Sequence, residues 1–261
     1  MYEKEGYSKL YLKDKYLDDS IDYLFNHEII EYDLESGGFN ICKEFKLLDK
    51  KTIDMLEMCD KKRRHIELGL ISKNDKEFAK KLSEGFKKAR ELFFKANNIE
   101  DYDVLSIKKD AIFLLKRVSC NNFGSLNFRI KNIYSSYLKL NQIEILYNKN
   151  KIDVKGIDDN ILRRHEGAML AFLELFIKEM ETETNKNKVA KFLKDFATEY
   201  KTHDLPIDFY REFNANSLYR CNIESSTGLT YYLEENSNYD IIDTSYNYMY
   251  IITPLIATLI N

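Results

Sequence analysis

Apolar positions along this chain switch between a helical and an alternating spacing, and the switches mark out its elements. Residues 8–26 place Leu10, Leu12, Leu17, Ile21, Leu24 and Phe25 at mostly helical intervals, which predicts a short helix. Glu28 to Leu34 then reads as a strand ending near Asp33. Gly37-Gly38 marks a turn, where backbone approaches another group closely or takes a positive φ. From Lys50 to Asn97 the pattern is helical almost throughout. Its first part carries Ile53, Leu56, Ile66, Leu68 and Leu70, with Met55 and Met58 blurring the buried face. A break at Ser72-Lys73-Asn74-Asp75 precedes a second helix, whose Phe78, Leu82, Phe86, Ala89 and Phe93 fall at steps of four, four, three and four. Together they predict an antiparallel helical hairpin, its apolar stripe serving ordinary packing.

Asp103 to Lys116 reads as a β-hairpin with Lys108-Lys109-Asp110 at its tip. Asn127 to Tyr147 holds further elements rich in Ile, Tyr and Leu, and Ile161 to Met180 and Val189 to Tyr200 read as helices. The remainder, with Tyr231-Tyr232 and Tyr246 to Tyr250, mixes short elements whose order the pattern does not give.

Composition narrows the class. A chain of 261 residues can bury one substantial core, with or without helical appendages. With 44% apolar and 32% charged residues it is a globular chain rather than a disordered one. Nine Gly and two Pro argue against a loop-rich sandwich and for long helices. Cys42, Cys59, Cys120 and Cys221 lack any paired spacing, so neither a zinc site nor a disulfide framework is expected. The N-terminus has no apolar signal region, and Tyr248 to Ile260 is too short and interrupted to span a bilayer. A cytoplasmic setting without membrane contact follows. The bias toward Lys, Asn and Ile fits a phage or another AT-rich genome, which would make that setting the host cytoplasm of an infected cell.

The net charge of -3 conceals blocks of opposite sign. Residues 43–95 carry 16 Lys and Arg against 10 Asp and Glu, and residues 108–164 carry 12 against 5, whereas residues 1–42 carry 4 against 10. Cations therefore gather between and just after Asp33 and Asp110, as a phosphate-binding groove requires, although solvated helix faces give similar counts. His27, His65, His165 and His203 are isolated and receive no catalytic role.

Two stretches carry the candidate chemistry. Tyr32-Asp33-Leu34-Glu35-Ser36-Gly37-Gly38-Phe39-Asn40-Ile41 and Val104-Leu105-Ser106-Ile107-Lys108-Lys109-Asp110-Ala111-Ile112-Phe113 each put an aspartate where a strand-like run breaks. The first resembles motif A of the family B DNA polymerases, an aspartate, two variable residues, then Ser-Leu-Tyr-Pro-Ser-Ile, with Asp33, Ser36 and Ile41 in register. The second resembles that family's motif C, strand, Asp-Thr-Asp-Ser turn, strand, with Asp110 at the second aspartate. Downstream, Lys131-Asn132-Ile133-Tyr134, then Ile152 to Ile157 and Arg163-Arg164, look like its Lys-x-Tyr element and the segment after it. The resemblance spans about residues 28–165 and departs from the pattern at four places. Lys108 stands at the first motif C aspartate, Lys131 and Tyr134 are one residue too far apart, Gly38 replaces the aromatic residue under the incoming sugar, and no Asn-Ser-x-Tyr-Gly signature is present. With 32 residues ahead of Asp33, no proofreading exonuclease is expected.

The resemblance implies an α+β right-hand polymerase: a palm with an antiparallel sheet, short helical-hairpin fingers and a mostly helical C-terminal thumb. Its parts would be residues 1–42 (palm with motif A), 43–99 (fingers), 100–160 (palm with motif C and the Lys-x-Tyr-like element) and 161–261 (thumb). It implies template-directed nucleotidyl transfer with Mg2+ or Mn2+ held by Asp33 and Asp110, on a DNA or RNA primer-template with nucleoside triphosphates. Ser36, Gly37 and Gly38 would cradle the triphosphate, with Arg63, Arg64, Lys80, Lys81 and Lys87 as candidate neutralising cations. Lys131 and Tyr134 would approach the primer, and Lys155, Arg163 and Arg164 the duplex backbone. Gly38 leaves nothing to clash with a 2′-hydroxyl, so ribonucleotide tolerance and primase-like synthesis are expected. Two rivals remain: an inactive palm that binds nucleic acid, and an accessory subunit completed by a replication partner.

Overall fold

The computed structural model describes residues 7–140, 143–149, 151–155, 172–182, 185–202 and 204–205, and short strands at 211–212, 222–224, 230–232 and 241–242. The chain forms two compact units, one of Met1–Ile21 and Glu28–Tyr134, the other of Asp22–His27 and Ser135–Asn261. The fold class is α+β with antiparallel sheets.

The first unit opens with a 3-10 turn at Lys9–Leu12 and strand β1 (Lys15–Leu17), and the short β2 (Tyr23–Leu24) that follows belongs to the second unit. The helix expected over 8–26 is therefore absent. Its spacing loses to long-range pairing, because β1 lies antiparallel to a later strand, with Lys15 opposite Lys108 and Leu17 opposite Ser106. Next come β3 (Ile29–Leu34), α1 (Gly37–Glu44), α2 (Lys50–Glu57), α3 (Lys61–Asn74) and α4 (Lys76–Ala96). The sheet continues with β4 (Val104–Lys108), β5 (Ala111–Leu114), β6 (Asn122–Phe123) and β7 (Leu126–Tyr134). Strand order is β1-β4-β5-β3-β7-β6, every pairing antiparallel, so β3 sits between β5 and β7.

Side chains alternate across β3. Ile30, Tyr32 and Leu34 join one hydrophobic core with Phe86, Ala89, Phe93 and Phe94 of α4, and with Ile107, Ile112 and Phe128 of the neighbouring strands. Phe93 stacks on Phe128 with ring centroids 4.4 Å apart and touches Tyr32 at 5.4 Å. Glu31 and Asp33 consequently lie on the opposite face. Gly85 lets α4 close on α1, since a Cβ there would fall 2.4 Å from Ile41 Cγ2.

Two boundaries differ from the expected helical hairpin. The first helical stretch is two helices, because Asp60 caps α3 by accepting from the Arg63 N–H at 2.8 Å. Gly37-Gly38 starts a helix rather than forming a turn; the left-handed residue is Ser36, at φ 46°.

In the second unit, β8 (Ser136–Leu140), β9 (Ile143–Asn148) and β10 (Lys151–Lys155) form a sheet of order β10-β9-β8-β2. Helices α5 (172–182) and α6 (Lys186–Thr202) pack through aromatic rings, Phe172 against Phe196 at 4.5 Å and Phe176 against Phe192 at 6.2 Å. Two short antiparallel pairs follow, β11 (Arg211–Glu212) with β14 (Ile241–Ile242) and β12 (Asn222–Glu224) with β13 (Thr230–Tyr232). The boundary at Tyr134 falls inside the segment 100–160, and α1 to α4 share a compact unit with the six-stranded sheet.

Candidate functional site

Asp33 and Asp110 meet at one end of the six-stranded sheet. Asp33 pairs across β3 with Ala111 of β5 and Arg129 of β7. Asp110 sits in the two-residue turn between β4 and β5, and its carbonyl accepts the Leu34 N–H at 3.0 Å, which ties the hairpin tip to the end of β3. The Asp33 side chain is only 16% exposed. Burial pushes its carboxyl above the ordinary range; Lys131 opposes this, the negative charge of Asp110 adds to it, and Arg129 opposes again. Arg129 reaches between two acids, 3.8 Å from both the Asp33 and the Glu35 carboxylates.

A buried carboxylate that sequence reasoning missed lies two residues up the same face. Glu31 accepts from Lys131 Nζ at 3.0 Å, from Asn132 Nδ2 and from the Tyr134 hydroxyl at 3.2 Å. Lys131 and Tyr134 both reach Glu31 because β7 is irregular at this point. Glu31 pairs with Asn132 and Tyr32 with Ile130, leaving Lys131 as the extra residue of a β-bulge that turns it toward the same carboxylate as Tyr134. The bond to Glu31 raises the Lys131 pKa, with burial opposing. Tyr134, expected near the primer, is 1% exposed and donates its hydroxyl to Glu31.

Beside the pair opens a cleft of about 970 Å³. The α1 N-terminus forms one wall. A Cβ at Gly37 would lie 3.1 Å from Phe86 and 3.6 Å from Asp110 Cβ, so glycine permits this approach. At Gly38 a Cβ would meet only Leu68 Cδ1, at 3.5 Å, so the position has room for a side chain. The facing wall is α3, which brings Lys61, Lys62, Arg64 and His65 to the cleft. Arg64 stacks over Phe39 at 5.0 Å, and its buried Nε has no hydrogen-bond acceptor. The cleft thus brings a helix N-terminus and the α3 cations together with the two aspartates.

The expected residues therefore separate. Asp33, Ser36, Gly37, Gly38, Arg64, Asp110 and Lys131 line the cleft. Arg63, Lys80, Lys81 and Lys87 do not; Arg63 lies 3.8 Å from Glu67 and Lys81 2.7 Å from Glu77, each one helical turn along its own helix. Lys155 ends β10 of the second unit, and Arg163 and Arg164 lie outside the described residues. Lys61, Lys62, His65 and Arg129 also line the cleft, without having been singled out by the sequence pattern. For α3 the signal was the Asp60 cap, which sets the phase putting Lys61, His65, Gly69 and Ser72 on one stripe. Lys108, the departure at the first motif C aspartate, holds its ammonium over the Phe113 ring at 5.4 Å. Among the described residues no group of three or more His, Cys, Asp or Glu converges.

Residues 6–260 match the protein family described as Bacteriophage PBS1 gene 130 protein. The chain belongs to that family. This is a phage family, in keeping with the Lys, Asn and Ile bias of the sequence. No curated protein matches the chain. Among the described residues no helix is long and apolar enough to cross a membrane.

Proposed function

We propose that this phage protein is a template-directed nucleotidyltransferase, a reduced polymerase with its palm in residues 1–42 and 100–160, its fingers in 43–99 and its thumb in 161–261. One observation carries the reading: Asp33 and Asp110, remote in sequence, lie at adjoining strand ends beside a cleft rimmed by cations. The donor set suits a divalent cation of the Mg2+ type, which takes oxygen ligands and is held by one or two carboxylates plus substrate phosphates. When bound, such an ion would supply Lewis acidity to the attacking 3′-hydroxyl and charge neutralisation to the triphosphate. The remaining work falls to the chain. Lys61, Lys62 and Arg64 bind the triphosphate, and the backbone of Ser36 to Gly38 cradles it. Lys131, held by Glu31, and Arg129 keep positive charge beside the carboxylates. The open space at Gly38 supports acceptance of ribonucleotides, and with it primase-like synthesis.

A second reading, a palm that binds primer-template or a replication partner without turnover, draws on Lys108 in place of a carboxylate. Extension of a labelled primer by the purified chain with Mg2+ or Mn2+ separates the two. Template-dependent extension, lost in Asp33→Asn and Asp110→Asn, is the expected result. Tight binding without extension would give the case to the second reading, and extension only with added phage-infected extract would indicate a missing subunit. Strong rejection of ribonucleotides by an active enzyme would remove the primase-like part alone.

A further inference from the structure

The turn that carries Asp110 is held by a group with no place in the chemistry above. Arg90, on α4, is only 1% exposed, and each of its three guanidinium nitrogens donates a hydrogen bond. Nε donates to the Tyr11 carbonyl at 2.9 Å, Nη1 to the Lys109 carbonyl at 2.7 Å and Nη2 to Asp14 Oδ1 at 2.9 Å. Lys109 is the residue immediately before Asp110 and takes φ 59°, a left-handed conformation that is costly for a side chain of its kind. Both of its peptide groups are gripped, its N–H by the Asp14 carbonyl at 2.9 Å and its carbonyl by Arg90. Burying a charge costs stability, and its bonds here tie the strained turn to residues 11–14.

We propose that Arg90 and Asp14 form a clamp that fixes the Lys109 backbone and so sets Asp110 opposite Asp33, making Arg90 a positioning residue. The role of the carboxylate pair rests on the function proposed above; the clamp itself does not. Lysine cannot replace Arg90, because a single ammonium does not reproduce the planar fork that meets three acceptors in different directions.

The test uses the full chain, at a temperature where each variant is folded by circular dichroism, with Arg90→Lys and Asp14→Asn. Amide hydrogen exchange at Leu34, whose N–H bonds to Asp110, reports the hairpin tip, and exchange at Phe128, bonded to the Asn121 carbonyl, serves as reference. Calorimetry with Mn2+ alone reports the carboxylate pair. Arg90→Lys should speed Leu34 exchange about tenfold with Phe128 unchanged, and weaken Mn2+ binding by about the same factor, as losses of outer supports of metal ligands do. Asp14→Asn, at a half-exposed side chain, should shift both by about two- to threefold, and decides alone if Arg90→Lys does not fold. Unchanged Leu34 exchange in the folded variants would overturn the clamp. If wild type neither binds Mn2+ nor extends primers, the proposed chemistry fails, while Leu34 exchange still decides the clamp.

Discussion

Helices α3 and α4 adjoin, carry similar numbers of lysine and arginine, and are built on opposite plans. α4 keeps a continuous inner stripe, with Phe78, Phe86, Ala89, Phe93 and Phe94 all buried against the sheet or its neighbours. α3 buries Leu68 and leaves Ile66 and Leu70 about half exposed, at 51% and 50%. The difference follows from what each helix faces. α4 turns its aromatic stripe to the core and gives only Leu82 and Phe86 to the cleft; α3 packs through Leu68 and gives Lys61, Lys62, Arg64, His65 and Ile66 to the cleft, which asks for cations, small residues and some apolar surface together. A blurred stripe can thus mark a helix whose second face is functional rather than one that packs poorly.

The contrast is open to attack. Phe93→Ala on α4 should cost about 3–5 kcal/mol in denaturant unfolding, whereas Ile66→Ala on α3 should stay within about 0.5 kcal/mol. Equal losses would erase the distinction. Arg64→Ala should leave the unfolding midpoint nearly unmoved but weaken nucleoside triphosphate binding by about 1.5–3 kcal/mol in calorimetry, with Lys87→Ala on the far side of α4 as an inert control. Gly85→Ala should destabilise by about 1–3 kcal/mol, because the new methyl collides with Ile41 where α4 crosses α1. The smallest effect is on the carboxylate itself. Asp33 has a raised pKa, so its ionisation burdens the fold as pH rises from the ordinary carboxyl range through the raised value, and the burden then persists. Asp33→Asn should therefore raise the melting midpoint at pH 7, with the gain fading as pH falls to about 3, where Asp33 is protonated folded or unfolded. A gain that grew on acidification would contradict the assigned cause.

Particular residues show how much of this was legible. The β4–β5 hairpin could be read because apolar strands flank a charged turn, and that reading delivered Asp110. The phase of Phe86 and Phe93 also fixes the rotation of α4, which carries Lys80, Lys81 and Lys87 away from the cleft, so charge alone is a poorer guide to cleft residues than helical phase. Residues 8–26 could not be read locally, since their course is set by bonds to Arg90 and to β4, both more than 70 positions away. Glu31 was hidden inside an apolar strand, and its role appears only when the bulge in β7 brings Lys131 and Tyr134 to it.

The far end of α1 is held as well. Glu44, its last residue, accepts the Ser125 N–H at 2.6 Å and lies against Gly124, which takes φ 59° and has no room for a Cβ beside that carboxylate. With Gly37 wedged against Phe86 and Asp110 at the other end, α1 is anchored like a beam on two supports. The Gly37-Gly38 edge of the cleft is thus braced from both ends of a single helix, by a glycine that lets the backbone close on Asp110 and by a carboxylate that grips the β6–β7 turn.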